Sequence, residues 1–242
     1  KPDFQEAEHE YSRFRELLGA TGATIIDLDA SDKLTIDSIY TRDSILVGPK
    51  GLILCNMGRA SRTPEASENA AAYRDLGYQV TGQITAPGTL EGGDFIWLDR
   101  YHAAVGLGPR TNAEGIDQLR TLLGPAIELH VVTLPEPDHP EDVLHLMSII
   151  SPLDADLALI YRPLMPPTFI AWLQALGIDF VDVPDAEYPT MGCNVLAIAP
   201  RRAIMLENLP AVKSGLEGAG VDVITYRGLE ISRKGEGGPT CL

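Results

Sequence analysis

No run of 18 apolar residues occurs in the 242-residue chain, which excludes a membrane-spanning helix. The opening residues, KPDFQEAEHEY, are polar and acidic, so no signal peptide starts there. The chain opens without Met, and residues are expected to be missing ahead of it. Basic residues are scarce: 19 Lys and Arg face 34 Asp and Glu, for a net charge of -15. That balance argues against nucleic acid, whose phosphates need cations, and against an anionic membrane. It suits a cationic small molecule, because a negative field concentrates cations near a cleft. The plainer reading is that acidity only keeps the protein soluble. Cysteine is also sparse. Cys55, Cys193 and Cys241 lie far apart, with no CxxC pair. Neither a disulfide framework nor a structural zinc site is suggested, and a reducing, cytoplasmic compartment is expected. No low-complexity linker divides the chain, so residues 1–242 are expected to form a single domain.

What is present is a recurring order of elements. QEAEHEYSRFRELLGATG reads as a helix ending at glycine, after which comes TIIDLD. DSILVGPKGLILCNM gives two strands around a Gly-Pro-Lys-Gly turn. TPEASENAAAYRDLG is a second helix, and EGGDFIWLDRYHAAVGLG a second strand pair. NAEGIDQLRTLLG, PPTFIAWLQALG and ENLPAVKSGLEGAG are three more helices. Strand pairs lie in LHLMSIISPLDADLALIYR and GCNVLAIAPRRAIML, VDVITY is a further strand, and GEGGPTCL is expected to open a fifth pair. A unit that recurs about five times, every 40 to 50 residues or so, predicts an α/β fold of repeated ββαβ units around a central axis. An open α/β sheet is the alternative.

Polar residues open these units. Asp37 and Asp43 precede the first, and Glu91 and Asp94 open the second. His145 opens the third, Cys193 and Asn194 the fourth, and Cys241 the fifth. In a radial fold they converge, bringing carboxylates, an imidazole and a thiol into one cavity: a nucleophile and base set. Each has a plainer reading. Cys241 could be a buried apolar thiol, although Gly237, Gly238 and Pro239 before it allow a tight turn. His145 could be a satisfied core histidine, and Asp94 could bind its own turn. Arg42 could be the partner that Asp43 needs at a buried strand end. Arg62 in GRASRTPE and Arg110 in LGPRTNAEG could fork onto a ligand carboxylate or be solvated surface groups. His9, His102, His130 and His139 are weaker candidates.

LEGGDFIWL, the lone histidine of HLM, RTNAEG and the terminal GGPTCL together resemble the guanidino-group modifying enzymes: the dimethylargininases, arginine deiminases and amidinotransferases. The resemblance spans essentially the whole chain, with the motifs in the family's order. It implies a five-bladed, pseudo-symmetric α/β propeller (a pentein) and a cysteine nucleophile at Cys241. It likewise implies a catalytic histidine at His145, an acid at Glu91 and a guanidinium-binding Asp43. Asp37, six residues before Asp43, would take the substrate's amino end, and Arg62 and Arg110 its carboxylate. The implied activity is hydrolysis of an N-methylated arginine to citrulline and an alkylamine through a thiouronium adduct, without metal or cofactor.

The relatives also mark departures. Deiminases and amidinotransferases follow the histidine with x-Asp, where this chain has Met147, so one carboxylate clamp is missing. That favours an N-alkylated guanidinium, which has fewer N–H donors and more apolar surface. Arg42 stands where dimethylargininases can carry Glu, which points the other way. The alternatives are a deiminase or amidinotransferase of the same family, and a non-catalytic propeller that binds a partner. The expected partner is a cationic guanidino compound, with a homodimer as the assembly considered, and the chain is expected to continue past Leu242.

Overall fold

The computed structural model describes residues 1–136 and 144–242. His139 lies outside them. The chain forms two compact units: Leu28–Leu146 with Cys241–Leu242, and Lys1–Asp27 with Met147–Thr240.

The first unit holds two three-stranded sheets of one design. Strands β1 (Ile45–Gly48) and β2 (Gly51–Leu54) form an antiparallel hairpin, and after helix α2 (Glu65–Asp75) strand β3 (Val80–Gln83) adds parallel to β2. Strands β4 (Phe95–Trp97) and β5 (His102–Leu107), helix α3 (Ala113–Leu123) and strand β6 (Glu128–Thr133) repeat the pattern. A helical crossover is what lets the third strand run parallel. Leu46, Ile53, Phe95, Val105, Ile116 and Leu119 pack into the core of this unit. The strands read as nearly continuous apolar runs because the middle strand is covered on both faces.

The second unit repeats the design twice more. Strands β7 (Ile150–Asp154) and β8 (Leu157–Ile160), helix α4 (Pro167–Ala175) and strand β9 (Asp179–Asp182) form one sheet. Strands β10 (Leu196–Ala199) and β11 (Arg202–Leu206), helix α5 (Pro210–Gly218) and strand β12 (Asp222–Tyr226) form the other. Helix α1 (Phe4–Ala20) belongs here, capped by Asp3, whose carboxylate accepts the Glu6 N–H at 3.1 Å.

All five predicted helices and four of the predicted strand pairs are present. One expectation fails. GEGGPTCL opens no strand; residues 239–241 form a turn. Four three-stranded sheets, not five, therefore occur among the described residues.

Helix α3 shows how tightly these loops are set. Its cap, Asn112, accepts the Gly115 N–H at 2.8 Å and the Thr89 N–H at 2.9 Å, joining the helix start to the segment before Glu91. A Cβ on Gly115 would stand 2.0 Å from the Thr89 carbonyl oxygen. Gly to Ala in a helix ordinarily stabilises by about 1 kcal/mol. Here we expect Gly115→Ala to destabilise by roughly 1–3 kcal/mol in urea denaturation, because backbone must move to admit the methyl. A stability gain would show that the approach is not rigid.

Candidate active site

The motif LEGGD supplies three distinct contacts within five residues. Glu91 is fully buried, and its Oε2 lies 2.8 Å from His145 Nε2. Gly93 donates its N–H to Asp43 Oδ1 at 2.9 Å. Asp94 accepts the Leu146 N–H at 3.0 Å and the Thr111 hydroxyl at 2.7 Å, so it anchors the backbone next to His145. The two glycines are required by proximity. A Cβ on Gly92 would lie 2.1 Å from the Arg42 carbonyl oxygen, and one on Gly93 would lie 2.4 Å from His145 Nδ1.

His145 therefore sits between two carboxylates, with Nδ1 3.9 Å from Asp43 on its other side. Burial works to lower its pKa, but Asp43, Asp94 and Glu91 outweigh that and hold it at about 9. The ring is an imidazolium at neutral pH, able to give a proton. Burial pushes Glu91 the other way, yet the hydrogen bond and charge of His145, with Arg110 and the Arg59 N–H, bring it down to about 2. For Asp94, burial wins over its partners and lifts the carboxyl to about 6.

Cys241 belongs to the same unit, and its carbonyl accepts the Arg42 N–H at 3.3 Å. It alone among the three cysteines is partly exposed. Cys55 and Cys193 are buried, and burial pushes both thiols well up, so the plainer reading applies to them. The Arg42 guanidinium turns instead to the Phe95 carbonyl at 3.1 Å. It is not the ion-pair partner that Asp43 needs.

That partner is Arg62, and here the structure corrects the sequence reading. Arg62 is buried. Nη1 binds Asp43 Oδ2 at 2.7 Å, Nε binds Glu65 Oε1 at 2.7 Å, and Nη2 binds Glu65 Oε2 at 2.8 Å and the Tyr40 carbonyl at 3.0 Å. Burial disfavours its charge, but Glu65 and Asp43 more than compensate and raise its pKa. Its guanidinium is thus paired within the protein, on Asp43 and Glu65. The cause is Glu65 at i+3, which meets it at the start of α2. Arg110 is also buried, with Nη1 3.6 Å from Glu91 Oε1. Asp37 pairs with Arg59 at 3.1 Å. Sequence reasoning missed Arg59, whose backbone N–H binds Glu91 Oε1 at 3.0 Å, and Thr111, which links Glu91 N to Asp94. The second arginine in GRASR was the available signal for the first.

Asp43, Glu91 and His145 present ligand atoms within 4.8 Å of one another, a spacing that a divalent cation could use. A protonated imidazole is a donor rather than a ligand, and both carboxylates already accept N–H groups. The donor set fits a planar cation better than a metal.

The chain matches the family model described as N,N dimethylarginine dimethylhydrolase, eukaryotic, over residues 3–242. It belongs to that family. Its class is accordingly that of hydrolases acting on amidino groups. A dimethylarginine dimethylaminohydrolase of Streptomyces coelicolor is 29% identical, aligned over 100% of this chain and 86% of its own. The Pseudomonas aeruginosa enzyme, solved as a cysteine-to-serine mutant with citrulline, superposes with a TM-score of 0.82 at 26% identity, over 100% of this chain and 88% of that one. A histidine-to-glycine variant of such an enzyme, solved as an adduct with S-methyl-L-thiocitrulline, gives 0.83 at 26% identity, over 100% and 89%. The α/β fold of repeated units is thus shared with enzymes of the propeller type. Among the described residues, no helix is long and apolar enough to cross a membrane.

The coupled pair gives a signed pH dependence. His145 is raised from 6.5 to about 9, so its contribution to stability is full below 6.5 and lost as pH rises through 9. Glu91 is lowered from 4.5 to about 2, so its contribution is full above 4.5 and lost as pH falls through 2. A double-mutant cycle of Glu91→Gln and His145→Gln in urea should show constant coupling between pH 4.5 and 6.5, fading toward 9. A coupling that grows on the alkaline side would contradict the charge assignment.

Proposed function

We propose that this chain hydrolyses an N-methylated arginine to citrulline and methylamine or dimethylamine, with Cys241 as nucleophile. The observation that carries this reading is the buried Asp43–His145–Glu91 cluster within the same compact unit as the one partly exposed thiol. Asp43 and Glu91 accept hydrogen bonds from a planar cation, and a guanidinium has that shape and charge.

The chemistry follows from the residue types. The Cys241 thiolate attacks the guanidinium carbon, forming the C–S bond. The His145 imidazolium gives its proton to the departing nitrogen, the C–N bond breaks, and a thiouronium adduct remains. Neutral His145 then takes a proton from water. The resulting hydroxide adds to the same carbon, the C–S bond breaks, and the ureido product leaves with the thiolate restored. The citrulline complex and the thiocitrulline adduct of the relatives support this course by analogy. Asp37 takes the substrate's amino end and Arg110 its carboxylate, while Arg62 holds Asp43 in place. Residues 1–242 act as a single catalytic domain in the cytoplasm, consistent with three cysteines outside any disulfide.

Met147, two residues after His145, stands where deiminases carry their second aspartate, and this favours the methylated substrate over arginine. The test measures ureido product from asymmetric dimethylarginine, monomethylarginine and arginine side by side. Cys241→Ser should abolish product, a loss on the order of 10²-fold or more, with unchanged unfolding behaviour. Product at the original rate would sink the mechanism. Met147→Asp should shift preference toward arginine; unchanged selectivity would remove the clamp argument.

A further inference from the structure

One hydroxyl joins the two halves of the Glu91–His145 pair. Thr111 is fully buried, in the segment between β5 and α3. Its carbonyl accepts the Gly108 N–H at 3.0 Å, and the next residue, Asn112, caps α3, so its place is fixed on both sides. The Glu91 N–H can only donate, so the Thr111 hydroxyl oxygen accepts it at 3.2 Å. The single hydroxyl proton then goes to Asp94 Oδ2 at 2.7 Å. The Leu146 N–H likewise can only donate, and Asp94 Oδ1 accepts it at 3.0 Å. Both oxygens of a fully buried carboxyl group therefore serve as acceptors, which is the work of its ionised form. Backbone hems it too: a Cβ on Gly106 would stand 2.8 Å from Oδ1.

We propose that Thr111 is a positioning residue for proton delivery: its hydroxyl couples the Glu91 peptide to Asp94, and through Asp94 to the peptide after His145, so that acid and imidazole meet in register. This rests on the reading above that His145 gives its proton to the leaving nitrogen. Glu91 and His145 meet across 54 residues of chain, and neither lies within a strand or an α-helix. No ladder sets their spacing, so the tie through Thr111 and Asp94 does. The tie is also electrostatic. Asp43, Glu91 and Asp94 are the charged groups that face the ring, with Arg110 beyond Glu91. Burial already lifts the Asp94 carboxyl to about 6, and the Thr111 hydroxyl is one of the groups that resist it. Without that donor Asp94 tends to the neutral acid, and the imidazolium loses one of three negative neighbours.

Thr111→Val swaps the hydroxyl for a methyl at nearly the same shape. For turnover of monomethylarginine, kcat should fall by about 10- to 100-fold, the scale of a displacement of about 1 Å, while KM stays within about threefold. Thr111→Ser keeps donor and acceptor and should restore most of kcat. The His145 imidazole, followed by nitrogen-15 NMR, should titrate at about 9 in the unmodified protein and at least about one pH unit lower in Thr111→Val. Should that variant not fold, Asp94→Asn keeps an oxygen for the Leu146 N–H but removes the charge, and the same fall in midpoint is expected. Equal losses in Thr111→Val and Thr111→Ser would assign the effect to the methyl and overturn the proposal. A loss confined to KM, or an unmoved midpoint, would overturn it as well. A fallen midpoint in a protein that turns over no guanidino substrate would sink the hydrolase reading and uphold the tie.

Discussion

The Glu91–His145 ion pair is the contact on which the site depends. Both groups are buried, and taking two charges out of water costs more than a simple Coulomb attraction returns unless further hydrogen bonds support them. The surrounding residues supply that support. The Arg59 N–H and Arg110 face Glu91, Asp43 faces the far side of the imidazole, and Asp94 holds the next peptide. A pair with so many partners is a poor source of stability compared with packed hydrocarbon. Its effect is to keep an imidazolium charged in a buried place.

Backbone proximity makes the arrangement possible. The Gly92–Gly93 pair lets one strand entrance pass against the Arg42 backbone and the His145 ring, which any side chain would prevent. The same economy appears across RTN. Thr111 bridges Glu91 and Asp94, and Asn112 caps α3 while holding the Thr89 peptide. A helix cap, a hairpin entrance and the buried Glu91 are thereby linked through side-chain hydrogen bonds to the backbone. A small displacement in one is felt in the others, because interiors at this density have little slack.

The arginines show how context sorts one residue type into several tasks. Arg42 ends on a carbonyl, Arg62 braces a carboxylate, Arg110 lies against Glu91, and Arg59 pairs with Asp37. In an acidic chain each cation has a choice of carboxylates, and position alone decides the match. Arg62 is captured because Glu65 follows it by less than one helical turn and Asp43 lies beside it.

The order of elements was legible in the sequence because it rests on local patterns: helix caps and glycine stops, turns between apolar runs, and the recurrence of both. The residue types of the site were legible for the same reason, since LEGGD, HLM and GGPTCL make little sense as packing motifs. GEGGPTCL misled as the opening of a fifth strand pair, because recurrence cannot say whether a ladder partner exists. The pairing of charges was not legible at all. Nothing local distinguishes Arg59 from Arg62, or tells Asp94, which anchors the Leu146 peptide, from Asp43, which faces His145 and Arg62. Those assignments follow from distances between segments far apart in the chain. Burial then converts those distances into protonation states, giving an imidazolium at about 9 and a carboxylate at about 2. The sequence by itself determined which chemistry was on hand; only the tertiary structure decided which group holds which proton, because charge in a buried site is set by neighbours rather than by residue type.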